Sequence, residues 1–363
     1  MGVFNIAKRK LIPVASIADQ ASKPWFYGKD LTVERGLQHI ESTIAPVLQQ
    51  LAAGGAVPER RSDHHFAISI FVMLQRERTA AADRGMRYVT DQLGKAYLRH
   101  KTDDPEMLKY LDQITLSVDG QLQDAMNQAM SFGPMLWDMK LVILENRSPL
   151  PFIASDAPVA VHNQWFEPVT ITSALGYANA GLQVILPLGP WRALLIYDET
   201  TYSIGDKASH RLILKNPEHV RSINDLQWEN AEENLYVTRD VTNAQLEEGV
   251  ASWTDRRRQR RVEIDDSISW PTEEGRHHLV TQNRLAPLTR LRLPQTRLLR
   301  SPPRIATPLH GLPLRNTEWA RFVESVGSEH MDQKITGEEF MRIMSEVPLP
   351  GTKRRRDSAA ARR

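Results

Sequence analysis

Residues 139–155, MKLVILENRSPLPFIAS, decide the fold. Met139–Leu144 is rich in branched apolar residues, positions 147–149 have the composition of a turn, and Pro151–Ser155 is largely apolar again. Short apolar runs bounded by proline and small polar residues are typical of β-strands. The sequence therefore predicts two strands joined by a turn, with the second strand pairing against the first.

A second pair of strands is predicted further along the chain. Leu182–Leu186 and Ala193–Tyr197 flank the sequence PLGP at positions 187–190. Strands joined by short turns run antiparallel, whereas the parallel sheets of nucleotide-binding folds need long crossover connections. We therefore expect a small, mainly antiparallel sheet over residues 136–200.

The first third of the chain has helical periodicity. Apolar residues recur every three or four positions over Leu31–Leu51, as in a helix with one buried face. Ser62 or Asp63 can cap a second helix that extends through Arg78. We expect further helices up to residue 133, and hence a helical layer over residues 26–133.

One strand is predicted before this layer and one helix after the sheet. Residues 3–15 alternate loosely between apolar and polar side chains, as a strand does. Pro217 is suited to the first turn of a helix, which we expect to cover residues 217–236. Because helices and strands are segregated along the chain, the fold class is α+β, with the helical layer packed on the sheet.

The composition excludes several classes of protein. The chain has 363 residues and no cysteine, which excludes disulfide frameworks, thiolate zinc sites and cysteine nucleophiles. No apolar run approaches the roughly 18 residues of a membrane helix, and the first residues lack the apolar segment of a secretory signal. We therefore expect a cytoplasmic protein with an α+β core over residues 1–250.

Basic residues are concentrated toward the C-terminus. Five arginines lie close together: Arg256, Arg257, Arg258, Arg260 and Arg261. Residues 275–317 contain eight arginines and six prolines but no acidic residue. Such a composition is unsuited to a hydrophobic core. We expect an Arg/Pro-rich linker or arm over 251–316, a two-helix appendage over 317–348 and a disordered basic tail over 349–363.

The basic arm has more than one interpretation. Its clustered arginines could contact the phosphates of a nucleic acid, dock on an acidic partner protein, or form a solvated tether. Aromatic side chains that would stack on bases are nearly absent there, since only Trp270 precedes the acid-free stretch. The sequence leaves these alternatives open.

The first candidate site is the segment FIASDAPV at residues 152–159. An apolar strand ends in Ser155 and Asp156, and Pro158 then favours an extended chain. This would present a hydroxyl and a carboxylate at the edge of a sheet, on a rigid support of the kind that catalytic sites need. Alternatively, Asp156 caps a turn by accepting backbone N–H bonds.

The second candidate is the helix end that carries Gln75 and Arg78. These residues are three positions apart and therefore lie on one side of a helix. A partly buried arginine needs a carboxylate partner, and the candidates are Asp156, Glu34 and Glu41. The group would either bind an anionic substrate beside an acid or pin the helical layer to the sheet.

Several of these residues follow the pattern of a bacterial family. The shared elements, in order, are WFY at 25–27, Glu34, Glu41, QxxRT at 75–79, FIASDAPV at 152–159 and PLxP at 187–190. Over about residues 4–240 the chain thus resembles domain of unknown function 4238. Members usually begin with His-Tyr-x-Pro, which is missing here, and usually have Thr and Asn in place of Ala154 and Ala157. The resemblance implies no established activity.

Three functions fit these observations. The first is an effector enzyme with a polar pocket in which Asp156 is a general base or metal ligand and Arg78 holds an anion. Hydrolysis, with nucleic acid as a substrate, is the candidate reaction. The second is a non-catalytic protein that binds through its basic arm, and the third is a scaffold. The adjacent histidine pairs lack metal-ligand spacing, so no metal site is predicted, and no motif identifies a cofactor.

Overall fold

A computed structural model describes residues 1–16, 32–168, 174–205, 210–257, 262–272, 275–284, 289–294, 296–301 and 312–347. The helices are α1 Thr32–Ala53, α2 Asp63–Glu77, α3 Ala80–Arg99, α4 Pro105–Leu111, α5 Gln121–Phe132, α6 Pro217–Asn230, α7 Asn243–Arg257, α8 Thr317–Met331 and α9 Gly337–Glu346, with 3₁₀ turns at Gly133–Leu136 and Gln164–Phe166. The strands are β1 Gly2–Asn5, β2 Lys10–Ile12, β3 Lys140–Asn146, β4 Ala154–Ser155, β5 Ala160–His162, β6 Gln183–Gly189, β7 Arg192–Tyr197, β8 Tyr202–Ile204, β9 Arg211–Leu214, β10 Asn234–Val237, β11 Val262–Thr272, β12 Gly275–Arg284 and β13 Thr296–Leu298.

The central sheet has the strand order β5-β6-β7-β3-β9. Its neighbours are antiparallel except for β3 and β9, which are parallel. Strands β6 and β7 form the predicted hairpin, with a register shift between Pro187 and Gly189. β3 is buried on both faces, which explains why its sequence is continuously apolar rather than alternating.

Both faces of the central sheet are covered. Leu141 and Ile143 of β3 share a core with helices α1, α2 and α5. The alternate residues Val142 and Leu144 share a second core with α6. Side chains of a strand point to opposite faces in turn, so β3 joins two hydrophobic cores. The α+β class, with a helical layer packed on a small and mainly antiparallel sheet, is confirmed.

The partner of β4 differs from the prediction. We expected Pro151–Ser155 to pair with Met139–Leu144, but β4 pairs with β10, in a second sheet of order β2-β1-β10-β4. The reason lies in Asn146, whose side chain accepts the N–H of Ser148 at 2.9 Å and donates to the carbonyl of Leu150 at 2.7 Å. These bonds shape the residues after β3 into a closed loop instead of a hairpin turn.

Two element boundaries also differ from the prediction. The covering helix ends at Asn230, because Ala231 leaves the helical conformation, and residues 234–237 form β10. Residues 3–15 contain two paired strands rather than one. The turn between them includes Arg9 in the left-handed region, at φ 50°, a conformation found in tight turns. The predicted second helix does begin at the Ser62 cap, which accepts the N–H of His65.

The described parts of the predicted linker contain regular secondary structure. The range 251–316 includes the end of α7, the hairpin β11–β12, and β13 paired with β8. In residues 289–294, which we call the strap, Leu291 and Leu293 are buried while Arg290 and Arg292 are exposed. The linker prediction was wrong here because it was based on the high arginine content. In the strap, leucines alternate with arginines, so that an extended segment has one apolar side.

Helices α8 and α9 occupy the range of the predicted appendage, yet they share a core with the rest of the protein. Trp319, Phe340 and Met344 pack with Met135 and Trp137. The basic tail lies outside the described residues, which end at 347. Within the described part of the chain, no helix has both the length and the apolar character that crossing a membrane requires.

Candidate functional site

A cleft of about 490 Å³ lies between the helical layer and the edge of the central sheet. Its apolar lining includes Met86, Val89, Ala125, Val159, Val161 and Leu175. Its polar lining includes Arg76, Glu77, Asp124, Gln128, Glu229 and Asn230. A cleft of this size, in which an apolar surface adjoins polar and charged groups, can hold a small molecule.

Arg76 and Glu77, at the end of α2, form a charged pair on the rim. The Nε of Arg76 lies 3.5 Å from Oε1 of Glu77. The hydroxyl of Tyr177 donates to the same Glu77 oxygen at 3.2 Å, and the Arg76 guanidinium lies 5.7 Å from the centre of the Tyr177 ring. Both side chains are 19 % exposed, so the pair is held in a fixed position while still reaching the cleft.

The opposite rim is set by the end of α6. Asn230 donates to the carbonyl of Val159 at 2.9 Å, which fixes the sheet edge against the helix. Glu229 accepts bonds from the N–H and hydroxyl of Thr289 at 3.3 and 3.1 Å. Asp124 on α5 is exposed and has no hydrogen bond or ion pair through its carboxylate to any described residue. Among the described lining residues, three carboxylates face one arginine.

The predicted site residues Gln75 and Arg78 do not line this cleft. Arg78 donates from Nε to Oε1 of Gln75 at 2.9 Å and forms an ion pair with Glu41 of α1. Of the three predicted acidic partners, Glu41 is therefore the one that Arg78 contacts. Glu34 is exposed on α1. The Arg78 group joins α1 to α2 within the helical layer, and these contacts do not reach the sheet.

Asp156 caps the turn that precedes β10. Its Oδ1 accepts the N–H of Glu232 at 2.7 Å, and its Oδ2 accepts those of Glu233 and Asn234 at 2.7 and 2.9 Å. Three charge-assisted bonds from backbone donors are a strong reason to retain a carboxylate. The contacts thus favour the turn-capping alternative, and a catalytic role for Asp156 stays a prediction.

Ser155 is also engaged within the fold. The residue is 1 % exposed, and both its backbone N–H and its hydroxyl donate to Oε1 of Gln227 at 3.0 Å. Gln227 in turn donates to the carbonyl of Pro158 at 2.9 Å. The structure therefore places Ser155 in a buried network that joins β4 to α6, away from the Arg78 group.

Replacing Asp156 with alanine is expected to lower the free energy of unfolding by about 2 kcal/mol, because three backbone donors lose an ionised acceptor. Chemical denaturation measures this loss. Asp103→Ala serves as the control, since Asp103 is exposed in a loop, and it should change stability by less than about 0.5 kcal/mol. Equal effects of the two substitutions would show that Asp156 does not act as a cap.

The two segments that contain the predicted site residues, 75–79 and 152–159, both line the cleft, but they do so through neighbouring residues. Arg76 and Glu77 lie between Gln75 and Arg78, and Ala157 follows Asp156. Neighbouring residues of a helix point in directions about 100° apart. The pair Arg76 and Glu77 therefore faces other partners than the pair Gln75 and Arg78 does. The sequence thus identified the two segments that line the cleft. The spacing of residues alone could not show which side chains of these segments point into it.

The predicted binding arginines lie at the end of the described helix α7 or beyond it. Arg256 and Arg257 close that helix, and no statement about their side chains follows from the structure. Arg258, Arg260 and Arg261 lie outside the described residues. Binding of nucleic acid or an acidic protein by this cluster stays a prediction.

The family model described as "Protein of unknown function (DUF4238)" matches residues 2–240. The chain belongs to this family. The matched range includes the central sheet, the β2-β1-β10-β4 sheet, α6 and the whole cleft lining, and it ends before α7, the strap and the C-terminal helices. No curated protein and no solved structure matches the chain.

Proposed function

We propose that the protein binds an amphiphilic organic cation in the cleft, meaning an ammonium or guanidinium group attached to an apolar chain. The observation that carries this proposal is the pairing of an apolar floor with a rim of carboxylates. Among the described lining residues, three carboxylates, including Glu77 and Asp124, outweigh the one positive charge of Arg76, while Val89, Val159 and Leu175 supply the apolar floor. A cation with an apolar chain complements both.

The apolar floor is expected to supply most of the affinity. Burial of about six methylene groups contributes roughly 5 kcal/mol, from which the cost of association must be subtracted. An exposed carboxylate contributes only about 1 kcal/mol to a cation at 4 Å. For a ligand with an eight-carbon chain we therefore expect weak binding that depends on chain length, with the carboxylates determining the preferred charge.

Isothermal titration of octylamine and octanoate at pH 7 tests the proposal, because the two ligands share a chain length and differ in charge. Octylamine should bind about tenfold more tightly than octanoate, a difference of roughly 1.4 kcal/mol, because the excess of carboxylates over arginine in the lining favours a cation over an anion. The double variant Glu77→Gln/Asp124→Asn should remove most of this preference. Binding of neither ligand, or a preference for octanoate, would refute the proposal.

A further inference from the structure

A groove of about 360 Å³ lies between α6 and the strap, and Thr289 in its lining is bonded to Glu229 of the cleft. Its cationic lining consists of Arg221 on α6 and Arg290 and Arg292 on the strap. The strap is held in place by its backbone: the N–H of Arg292 donates to the hydroxyl of Ser222 at 3.1 Å. The groove thus has two walls with fixed backbones and arginine side chains on both.

The inward side of the strap explains why these arginines point outward. Leu291 and Leu293 are 3 % and 9 % exposed and belong to the core beneath α6. The N–H of Leu291 donates to Glu167 at 2.9 Å. In an extended segment, neighbouring side chains point to opposite sides. Burial of the two leucines therefore directs Arg290 and Arg292 toward solvent together.

The groove keeps an excess of positive charge. Glu218 lies 3.1 Å from Arg221 and 3.9 Å from Arg292, so one carboxylate serves two arginines. Asp225 is the other acidic residue of the lining. Arg221 and Arg292 have side chains 61 % and 66 % exposed. Their guanidinium groups can turn toward an incoming anion without losing a buried partner.

We propose that this groove binds phosphate groups of a nucleic acid strand. Between residues 216 and 333 the chain contains arginines but no lysine. The planar guanidinium group forms paired hydrogen bonds with phosphate oxygens, which the lysine ammonium group cannot form. Beyond the groove, Arg297 and Arg300 are also exposed. Exposed arginines that recur along residues 290–300 match a ligand with repeated phosphates better than one with a single phosphate.

The test measures fluorescence anisotropy of a labelled single-stranded 20-mer RNA with the full-length protein at several salt concentrations. The variant Arg290→Gln/Arg292→Gln should weaken binding at least tenfold at low salt. It should also reduce the slope of log K against log salt by about 1.4, because each lost phosphate contact contributes about 0.7 for a single strand. The control Arg321→Gln/Arg342→Gln removes the same charge from α8 and α9 and should have little effect.

Other basic segments contribute equally to the test variant and the control, so the difference between them reports on the groove. Equal losses in both variants would overturn the proposal, as would the absence of RNA binding. A labelled polyglutamate peptide that binds as tightly as RNA, and loses affinity in the same variant, would indicate an acidic protein instead. Equally tight binding of tripolyphosphate would indicate a small phosphate ligand. Thermal unfolding confirms that both variants fold.

Discussion

Arg315→Met is expected to lower the free energy of unfolding by about 3–5 kcal/mol, the largest effect of any substitution considered. Arg315 and Asp138 form a buried ion pair, with side chains 2 % and 7 % exposed and an Nη2–Oδ1 distance of 2.7 Å. Burial raises the pKa of the Asp138 carboxyl, and the adjacent Arg315 guanidinium opposes this shift. Removing the arginine would leave a buried carboxylate without its partner, which is strongly destabilising.

Arg315 has further partners that strengthen this expectation. Its guanidinium also donates to the carbonyls of Met135, Tyr177 and Asn179 at 2.7, 3.2 and 3.3 Å. It thereby joins the chain just before α8 to two parts of the core. Chemical denaturation of Arg315→Met beside Arg342→Met measures the effect, because Arg342 belongs to an exposed ion pair worth at most about 1 kcal/mol. Losses of similar size in the two variants would contradict the account.

Stability is expected to fall by up to about 3 kcal/mol as the pH decreases from 6.5 to 4, through the titration of His65. Burial, and to a smaller extent the charge of Arg60, lowers the pKa of His65 from 6.5 to about 4. Between these values the unfolded chain binds a proton at this position and the native state does not. The free energy of unfolding therefore decreases as the pH falls, by about 1.4 kcal/mol per unit.

The neighbouring histidine supplies a matched control for this pH dependence. His65 is 1 % exposed, and its Nδ1 accepts the N–H of Arg61 at 3.3 Å. His64 is exposed. Denaturation curves at pH 4.5, 5.5 and 6.5 should show a shallower pH dependence for His65→Asn than for the wild type. His64→Asn should keep the wild-type slope, and identical slopes for all three proteins would rule out His65 as the origin.

The local parts of the fold could be predicted from the sequence, whereas pairings between distant residues could not. Helical spacing in α1 and the turn between β6 and β7 depend on neighbours in the chain, and both were confirmed. The pairing of β4 with β10 joins residues about 80 positions apart, for which short-range patterns give no signal. The buried leucines of the strap were missed because their arginine neighbours dominate its composition.

The candidate site was predictable only as far as its segments. The end of α2 and the segment that includes Ala157 were both singled out, and both line the cleft. Three carboxylates were possible partners of Arg78, and the structure pairs it with Glu41, while Asp156 accepts bonds from backbone donors. The choice among these partners depends on how α1 packs on α2, which no spacing rule specifies.

The most direct test of the central claim, that the cleft is the binding site, is a titration of octylamine into the wild type, Gly85→Trp and Gly36→Trp. Both glycines lie on helices, and a Cβ added at either would have no heavy atom within 4 Å. Of these two described glycines, Gly85 lines the cleft and Gly36 does not. Gly85→Trp is predicted to weaken octylamine binding at least tenfold, while Gly36→Trp leaves it unchanged. Equal affinities for all three proteins would contradict the account.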